Sequence, residues 1–189
     1  LVSALAREVR AAARGRATLI VAENELQNSD LVRPADRGGG GLDALWNDDL
    51  HHSAVVALTG KKEAYYTDYN GSPQELISAA KWGFLYQGQR YKWQRQRRGR
   101  PALDLPPAHF VSVIENHDHV ANAADGSRLH RLTSPGRYRA MTAYLLLTAA
   151  IAGIDPPALI SKAEALTKIP AGMLSFLLES RRVDNRRML

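Results

Sequence analysis

Two buried-strand patterns, each followed at once by acidic and amide residues, constrain the fold of this chain most strongly. Residues 17–22 form a continuous apolar and β-branched run that ends at Glu23, and residues 110–114 form a second run that ends in the segment ENHDH at 115–119. A run without alternation is typical of a strand covered on both faces in a parallel sheet. Because helical patterns separate the runs, the sequence predicts βαβ units, and we expect part of a βα-barrel.

Helical periodicity begins at the first residue. Val2, Leu5 and Val9 fall on one face of a predicted helix, and Gly15 is a suitable stop before the first strand. The pattern starts without an N-cap residue, and we expect the chain to be cut from a longer sequence.

Two further helices follow later in the chain. Residues 73–86 are predicted to be helical, because Ser72 and Glu75 have the spacing of a capping box. Another helix begins at Pro135, and its residues 145–147 are apolar all round, which indicates burial against a sheet.

Composition excludes several classes of protein. With 45% hydrophobic residues and no cysteine among 189 residues, the chain is neither a disordered protein nor a disulfide-stapled module. No apolar run approaches the about 20 residues that span a bilayer, so we expect no membrane partner. Since no leader pattern precedes the first helix, a cytoplasmic location is the expectation.

The net charge of +6 is concentrated in one segment. Residues 90–100 hold six basic residues and no acidic ones, and Tyr91 and Trp93 lie between them. A solvated surface loop is the favoured interpretation, so we expect no nucleic-acid partner; the alternative is a nucleic-acid-binding module that uses Arg90 to Arg100. The basic residues are Arg90, Lys92, Arg95, Arg97, Arg98 and Arg100.

A dense polar cluster follows a run of four glycines. The glycines at 38–41 lack the residues of a phosphate-binding loop, so a flexible linker is predicted there. A short strand is predicted over 42–46, and a helix is predicted to begin at Ser53. Asp48, Asp49, His51 and His52 lie between them, but metal sites need ligands from separate elements, so we expect no metal and no cofactor.

The two strand ends each present a carboxylate, Glu23 and Asp118. A glycosidase needs such a pair, because one carboxyl group protonates the leaving oxygen while another stabilises the oxocarbenium-like centre. Spacing alone does not separate a glycosidase from other barrel enzymes.

Several ungapped segments resemble the maltooligosyltrehalose trehalohydrolases, a branch of the α-amylase family of retaining glycoside hydrolases. The resemblance covers residues 1–148 and implies the C-terminal part of a (β/α)8 TIM barrel, about strands 5 to 7 with their helices. It implies hydrolysis of the α-1,4 bond next to the terminal trehalose, with maltooligosyltrehalose or a related α-glucan oligosaccharide as partner. The matching segments are LIVAENELQNSDLVRP, GLDALWNDDLHHSAVVALTG, EAYYTDYNG, KWGFLYQGQRYKWQ, ENHDHVAN and SPGRYRAMTAYLLL.

The resemblance also implies roles for individual residues. Glu23 matches the general acid/base, and Asp118 matches the transition-state stabiliser. The family's nucleophilic aspartate closes the fourth strand and matches no residue here, so we expect the isolated chain to be inactive. The residues implied to contact the saccharide are Trp46, Asp48, Asp49, His52, Asn116 and His117.

The sequence departs from the family at three places. Glu115 replaces an amide, and His119 replaces a glutamine, on either side of the NHD tripeptide. The resemblance ends at residue 148. A truncated or frame-shifted reading frame would explain the different tail at residues 149–189. Another α-amylase-family enzyme, such as a branching enzyme or an amylase, stays an alternative, although the WNDDLHH segment favours a trehalohydrolase.

Overall fold

The computed structural model describes residues 1–121, 123, 125–151, 153, 163, 164 and 167. The chain divides into two units, Leu1–Asp155 and Pro156–Leu189. In the second unit the described residues are 163, 164 and 167, and they are helical. Most of the tail predicted from residue 149 onward therefore lies outside the described residues.

Helices and short strands alternate along the first unit. The α-helices of the described part are α1 (Val2–Ala13), α2 (Asp48–Thr59), α3 (Pro73–Trp82), α4 (His117–Ala121) and α5 (Pro135–Ile151). The strands are β1 (Val21–Ala22), β2 (Ala44–Trp46), β3 (Arg90–Tyr91), β4 (Gln96–Arg97) and β5 (Phe110–Val111). None of the described helices combines the length and hydropathy that crossing a membrane requires.

Three parallel strands form the sheet, in the order β1, β2, β5. Val21 pairs with Ala44, and Leu45 pairs with Phe110. The expected α/β organisation with parallel strands is therefore present, although each strand is shorter than its apolar run. Since parallel strands end at the same edge of a sheet, the residues that follow β1, β2 and β5 lie along one edge.

Helix α1 forms as predicted and ends at Arg14, which adopts the left-handed conformation (φ 50°). Its predicted apolar face does not enter the core, since Leu5 keeps 61% of its surface exposed. Ala6 and Ala13 are buried instead, and Arg10 attaches the helix to Asp43 with a 2.9 Å side-chain contact.

Helix α2 begins at Asp48 and not at Ser53, because Asn47 caps it. The Asn47 carbonyl oxygen accepts from the Leu50 N–H, and its amide donates to the carbonyls of Ala79 and Gly83 at 3.1 and 2.9 Å. One buried side chain therefore joins the end of β2, the start of α2 and the end of α3.

The capping box at the start of α3 is confirmed, since the Ser72 hydroxyl and the Glu75 carboxylate each accept from the other residue's backbone N–H. The helix ends at Trp82 rather than at residue 86. Gly83 follows with φ 79°, and a Cβ there would lie 2.5 Å from the Phe110 ring. The position therefore needs glycine both for its backbone conformation and for the approach of β5.

Two other local predictions are wrong. The glycine run at 38–41 packs closely against the preceding turn: a Cβ on Gly39 would lie 2.2 Å from the Arg33 carbonyl oxygen, so the segment is a tight turn and not a linker. On α5, Leu146 and Leu147 are 45% and 63% exposed, so that helix is not buried all round.

The basic segment forms an antiparallel hairpin and not a loop. Arg90 pairs with Arg97, and Tyr91 pairs with Gln96. Arg95 adopts a positive φ of 56° in the turn between the two strands. The hairpin turns the side chain of the next residue, Arg98, into the interior, where it is 1% exposed.

Candidate active site

The carboxylates of Glu23 and Asp118 meet at the edge where the parallel strands end. Glu23 follows β1 directly, and Asp118 lies in the first turn of α4, after β5. A hydrogen bond between the two carboxyl groups raises the pKa of Glu23, and the negative charge of Asp118 raises it further. Glu23 is exposed, so its carboxyl group is accessible to a bound molecule.

His117 and Asn116 surround Asp118. The His117 Nε2 lies 3.3 Å from an Asp118 carboxylate oxygen, and the ring is 82% exposed. The Asn116 side-chain oxygen accepts from the backbone N–H groups of Asp118 and His119 at 3.0 and 3.2 Å. Asn116 therefore fixes the turn that presents Asp118, while His117 faces solvent beside it.

Asp48 adds a third carboxyl group to this edge. Burial raises its pKa to about 6, and the charges of Asp49, Glu23 and Glu25 act in the same direction. Arg98 opposes this effect, with its Nη2 atom 3.6 Å from the Asp48 carboxylate. Asp48 is thus held at the boundary between the interior and the exposed edge, with 26% of its side chain exposed.

Asp49 lies inside the fold, where its side chain is 0% exposed. One carboxylate oxygen accepts from the Tyr69 hydroxyl at 2.5 Å, and the other accepts from the Tyr86 backbone N–H at 2.7 Å. In this structure Asp49 has no surface with which to contact a sugar, in contrast to the role implied by the resemblance. These hydrogen bonds indicate a structural role for Asp49, because they connect α2 to two separate loops.

Trp46 and His52 have different environments. Trp46 closes β2 and is partly buried. His52 is 6% exposed and stacks on the ring of Tyr65, with ring centroids 4.8 Å apart. Burial lowers the pKa of His52 well below its usual value, so this imidazole is neutral.

Three imidazoles could hold a metal ion in the described part: His51, His52 and His119, whose candidate nitrogen atoms lie within 4.8 Å of one another. His51 donates through Nδ1 to the Ile114 carbonyl at 2.6 Å, the arrangement that orients metal-binding histidines. His119, however, accepts the Asn116 N–H through Nδ1 at 3.2 Å, which leaves its proton on Nε2.

With a hydrogen bond at Nδ1 and a proton on Nε2, His119 has no free nitrogen for a metal ion, so the three histidines do not form a complete ligand set. His119 would have to give up its contact with Asn116 before it could bind an ion. The rings of His51 and His119 stack with centroids 3.1 Å apart, which explains the group as packed neutral side chains. The absence of a metal stays a prediction.

The two substitutions that flank the NHD tripeptide have separate structural consequences. Glu115 pairs with Arg128 at 3.0 Å and accepts from the Leu129 backbone N–H, so it is held against a neighbouring loop. His119 packs on His51, and burial lowers the pKa of His119 to about 4.

Sequence reasoning missed the residues that contact Asp48 and Asp49 inside the fold. They belong to the hairpin and to the loops around it, and Arg98 is the central one. In the sequence it is one of six basic residues, and only the alternation of the hairpin distinguishes it from its exposed neighbour Arg97. The supporting groups are the side chains of Tyr69, Tyr91 and Arg98 and the backbone N–H of Tyr86.

Comparison with known proteins relates this chain to named enzymes. No protein-family model matches the chain. Over 130 residues it is 34% identical to the malto-oligosyltrehalose trehalohydrolase of Saccharolobus solfataricus, which covers 69% of this chain and 23% of that protein. Over 138 residues it is 37% identical to the Deinococcus radiodurans enzyme of the same name, covering 70% of this chain and 22% of that protein.

This chain is a relative of one segment of the malto-oligosyltrehalose trehalohydrolases. It spans less than a quarter of the length of these curated relatives. The family resemblance predicted from the motifs is confirmed, including its restriction to part of the chain.

A solved structure agrees with this relationship. A crystal structure of a protein provisionally described as an α-amylase, from Salmonella typhimurium, matches with a TM-score of 0.64 and 34% identity. The match covers 74% of this chain and 25% of that one. Together with the trehalohydrolases, it relates the chain to glycoside hydrolases of the α-amylase family and supports an α/β fold.

Proposed function

We propose that this chain forms strands 5 to 7 of a (β/α)8 barrel and carries two of the three catalytic carboxylates of a trehalose-releasing glycosidase. The interaction between the carboxyl groups of Glu23 and Asp118, at the edge where β1 and β5 end, is the observation that carries this proposal. Barrel enzymes build their active sites at that edge. The similarity to trehalohydrolases supports the choice of chemistry.

Glu23 is the proposed general acid. Its raised pKa favours the protonated carboxyl group, which donates its proton to the glycosidic oxygen as the bond to the sugar breaks. The carboxylate of Asp118 is the proposed stabiliser of the positive charge that develops at the anomeric carbon. After the aglycone leaves, Glu23 takes a proton from water as general base.

A retaining mechanism also requires a nucleophilic carboxylate about 5 to 5.5 Å from the acid. The family's nucleophile matches no residue of this chain, so we propose that a complete enzyme supplies it from the strand before β1. The isolated chain is accordingly expected to bind saccharide at this edge without cleaving it.

A chimera tests the proposal directly. The matching segment of the Deinococcus radiodurans relative is replaced with this chain's residues, and trehalose release from maltooligosyltrehalose is measured. We expect an active chimera, and Glu23→Gln should lower its kcat by about 100-fold or more, the usual contribution of a general acid. Glu25→Gln, on the same loop, is the matched control and should retain activity.

Two results would count against this function. A Glu23→Gln chimera as active as its parent would remove Glu23 from the mechanism, and trehalose release by the isolated 189-residue chain would contradict the missing nucleophile. Cleavage of plain maltooligosaccharides at an equal rate would instead favour an amylase-type activity over a trehalohydrolase.

A further inference from the structure

Arg98 is a buried cation beneath the active-site edge. It directly follows β4, and the hairpin turns it inward so that its side chain is 1% exposed. The guanidinium lies over the Tyr91 ring, 4.7 Å from the centroid. Placing a cation in the interior is costly unless the charge is compensated, so its partners are informative.

Two adjacent aspartates at the start of α2 face this guanidinium. Nη2 lies 3.6 Å from an Asp48 oxygen, and Nε lies 3.7 Å from an Asp49 oxygen. Both nitrogens are buried without a hydrogen-bond partner, because these separations exceed hydrogen-bonding distance.

Asp48 and Asp49 differ in their exposure and in their hydrogen bonds. Both oxygens of Asp49 already accept from Tyr69 and Tyr86, so Asp49 is a fixed anchor for the guanidinium. Asp48 is partly exposed, and the carboxylates of Glu23 and Glu25 act on it from the end of β1. Among the charged groups that act on Asp48, Arg98 favours the ionised form, whereas Asp49, Glu23 and Glu25 oppose it.

We propose that Arg98 is a positioning residue: anchored by Asp49 and Tyr91, it holds Asp48 ionised and directed toward the edge where Glu23 and Asp118 meet. The saccharide-binding role of Asp48 rests on the proposed function, but the coupling between Arg98 and Asp48 does not. An ionised Asp48 accepts hydrogen bonds from sugar hydroxyl groups through both oxygens, while a protonated one keeps a hydrogen on one of them.

A carboxyl-group NMR titration of the full 189-residue chain tests the coupling. In the unmodified chain the Asp48 carbon signal should titrate near pH 6. In Arg98→Gln we expect its midpoint to rise by about one pH unit or more, because an opposite charge at this distance is lost. Arg97→Gln removes the neighbouring exposed arginine of the hairpin and should leave the midpoint unchanged.

A second measurement needs no change at Arg98, in case the Gln variant does not fold. The Arg98 Nε–H signal of the unmodified chain should shift with the same midpoint as Asp48, and Asp48→Asn should abolish that component. A merely structural arginine would not report the titration of Asp48. An unchanged Asp48 midpoint in folded Arg98→Gln, or an Nε–H titration unaffected by Asp48→Asn, would overturn the proposal.

The outcomes separate this inference from the proposed function. If the signals are coupled but the chimera with the Deinococcus radiodurans relative is inactive, the positioning role stands and the glycosidase assignment fails. If the chimera is active but the signals are uncoupled, the glycosidase assignment stands and the positioning role of Arg98 fails.

Discussion

The carboxyl groups of Glu23 and Asp118 interact although the two residues lie 95 positions apart in the chain. The parallel sheet causes this contact, because β1 and β5 lie on either side of β2 and all three strands end at one edge. Two acids within hydrogen-bonding distance disfavour double ionisation, so one of them retains a proton to higher pH. The pKa of Glu23 is raised, which suits a residue that donates a proton.

Replacing Asp118 with Asn should lower the pKa of Glu23 toward its ordinary value near 4.5. The substitution keeps a side chain of the same size but removes the negative charge that disfavours ionisation of Glu23. A carboxyl-group NMR titration of the chain would measure the change. Asp125→Asn, an exposed aspartate that pairs with Ser127, is the control and should leave the Glu23 midpoint in place. An unchanged Glu23 midpoint in Asp118→Asn would mean that burial alone raises it.

Replacing Asn47 with Ala should destabilise the chain by about 2 to 4 kcal/mol. The variant loses the cap of α2 and leaves the buried carbonyls of Ala79 and Gly83 without their donor. Urea unfolding followed by circular dichroism would measure the difference. Asn70→Ala removes an asparagine whose amide contacts Glu75 at the surface, and it should cost less than about 1 kcal/mol. Equal effects of the two substitutions would contradict the role of Asn47 as a joint between elements.

Local sequence patterns predicted the features that depend on neighbouring residues. The capping box of Ser72 and Glu75 needs only a spacing of three, and the polar residue Glu23 marks the end of β1 without further information. The same reasoning overestimated strand length, because an apolar run does not reveal how many of its residues find a partner strand.

The remaining errors concern contacts between distant segments. The close approach of Gly39 to Arg33 requires a folded turn, and nothing in a four-glycine run distinguishes it from a flexible segment. Arg98 carries the same charge as its neighbours, so only the hairpin geometry reveals that it is buried. Asp49 is separated from Tyr69 by 20 residues, and its burial could not be inferred from the polar character of its segment.

Replacing His119 with Gln should make the chain less sensitive to acid. Burial lowers the pKa of His119 to about 4 in the fold, against 6.5 when it is exposed, so the folded state binds fewer protons between these values. Above pH 6.5 His119 is neutral in both states and costs no stability. As the pH falls toward 4, the unfolded state gains a proton that the folded state does not, so the free energy of unfolding decreases. The raised pKa of Asp48 has the opposite effect, because the folded state loses stability as the pH rises from 3.8 to about 6. This effect is present in both the original chain and His119→Gln, so it does not contribute to their difference.

Urea unfolding of the two proteins at neutral and acidic pH would measure this difference. The free energy of unfolding of His119→Gln, relative to the original chain, should rise by about 1 to 2 kcal/mol between about pH 7 and about pH 4.5. Removing His119 also removes a positive neighbour that disfavours protonation of His51, which acts in the same direction. His130→Gln, at an exposed position, is the control and should follow the original chain. Parallel pH profiles for His119→Gln and the original chain would show that His119 is not a source of acid sensitivity.

Replacing Leu5 with Glu should reduce self-association of the chain. Leu5 is 61% exposed on α1, and Val2 and Val9 on the same predicted face are 37% and 39% exposed, so the helix presents an apolar stripe to solvent. Contiguous apolar surface of this kind favours association, and a carboxylate within it opposes burial. Sedimentation velocity should show a larger monomer fraction for Leu5→Glu than for the original chain. Ala12→Glu places the same charge at another exposed position of α1 and should change association less. If both variants dissociate equally, net charge rather than the apolar stripe controls association.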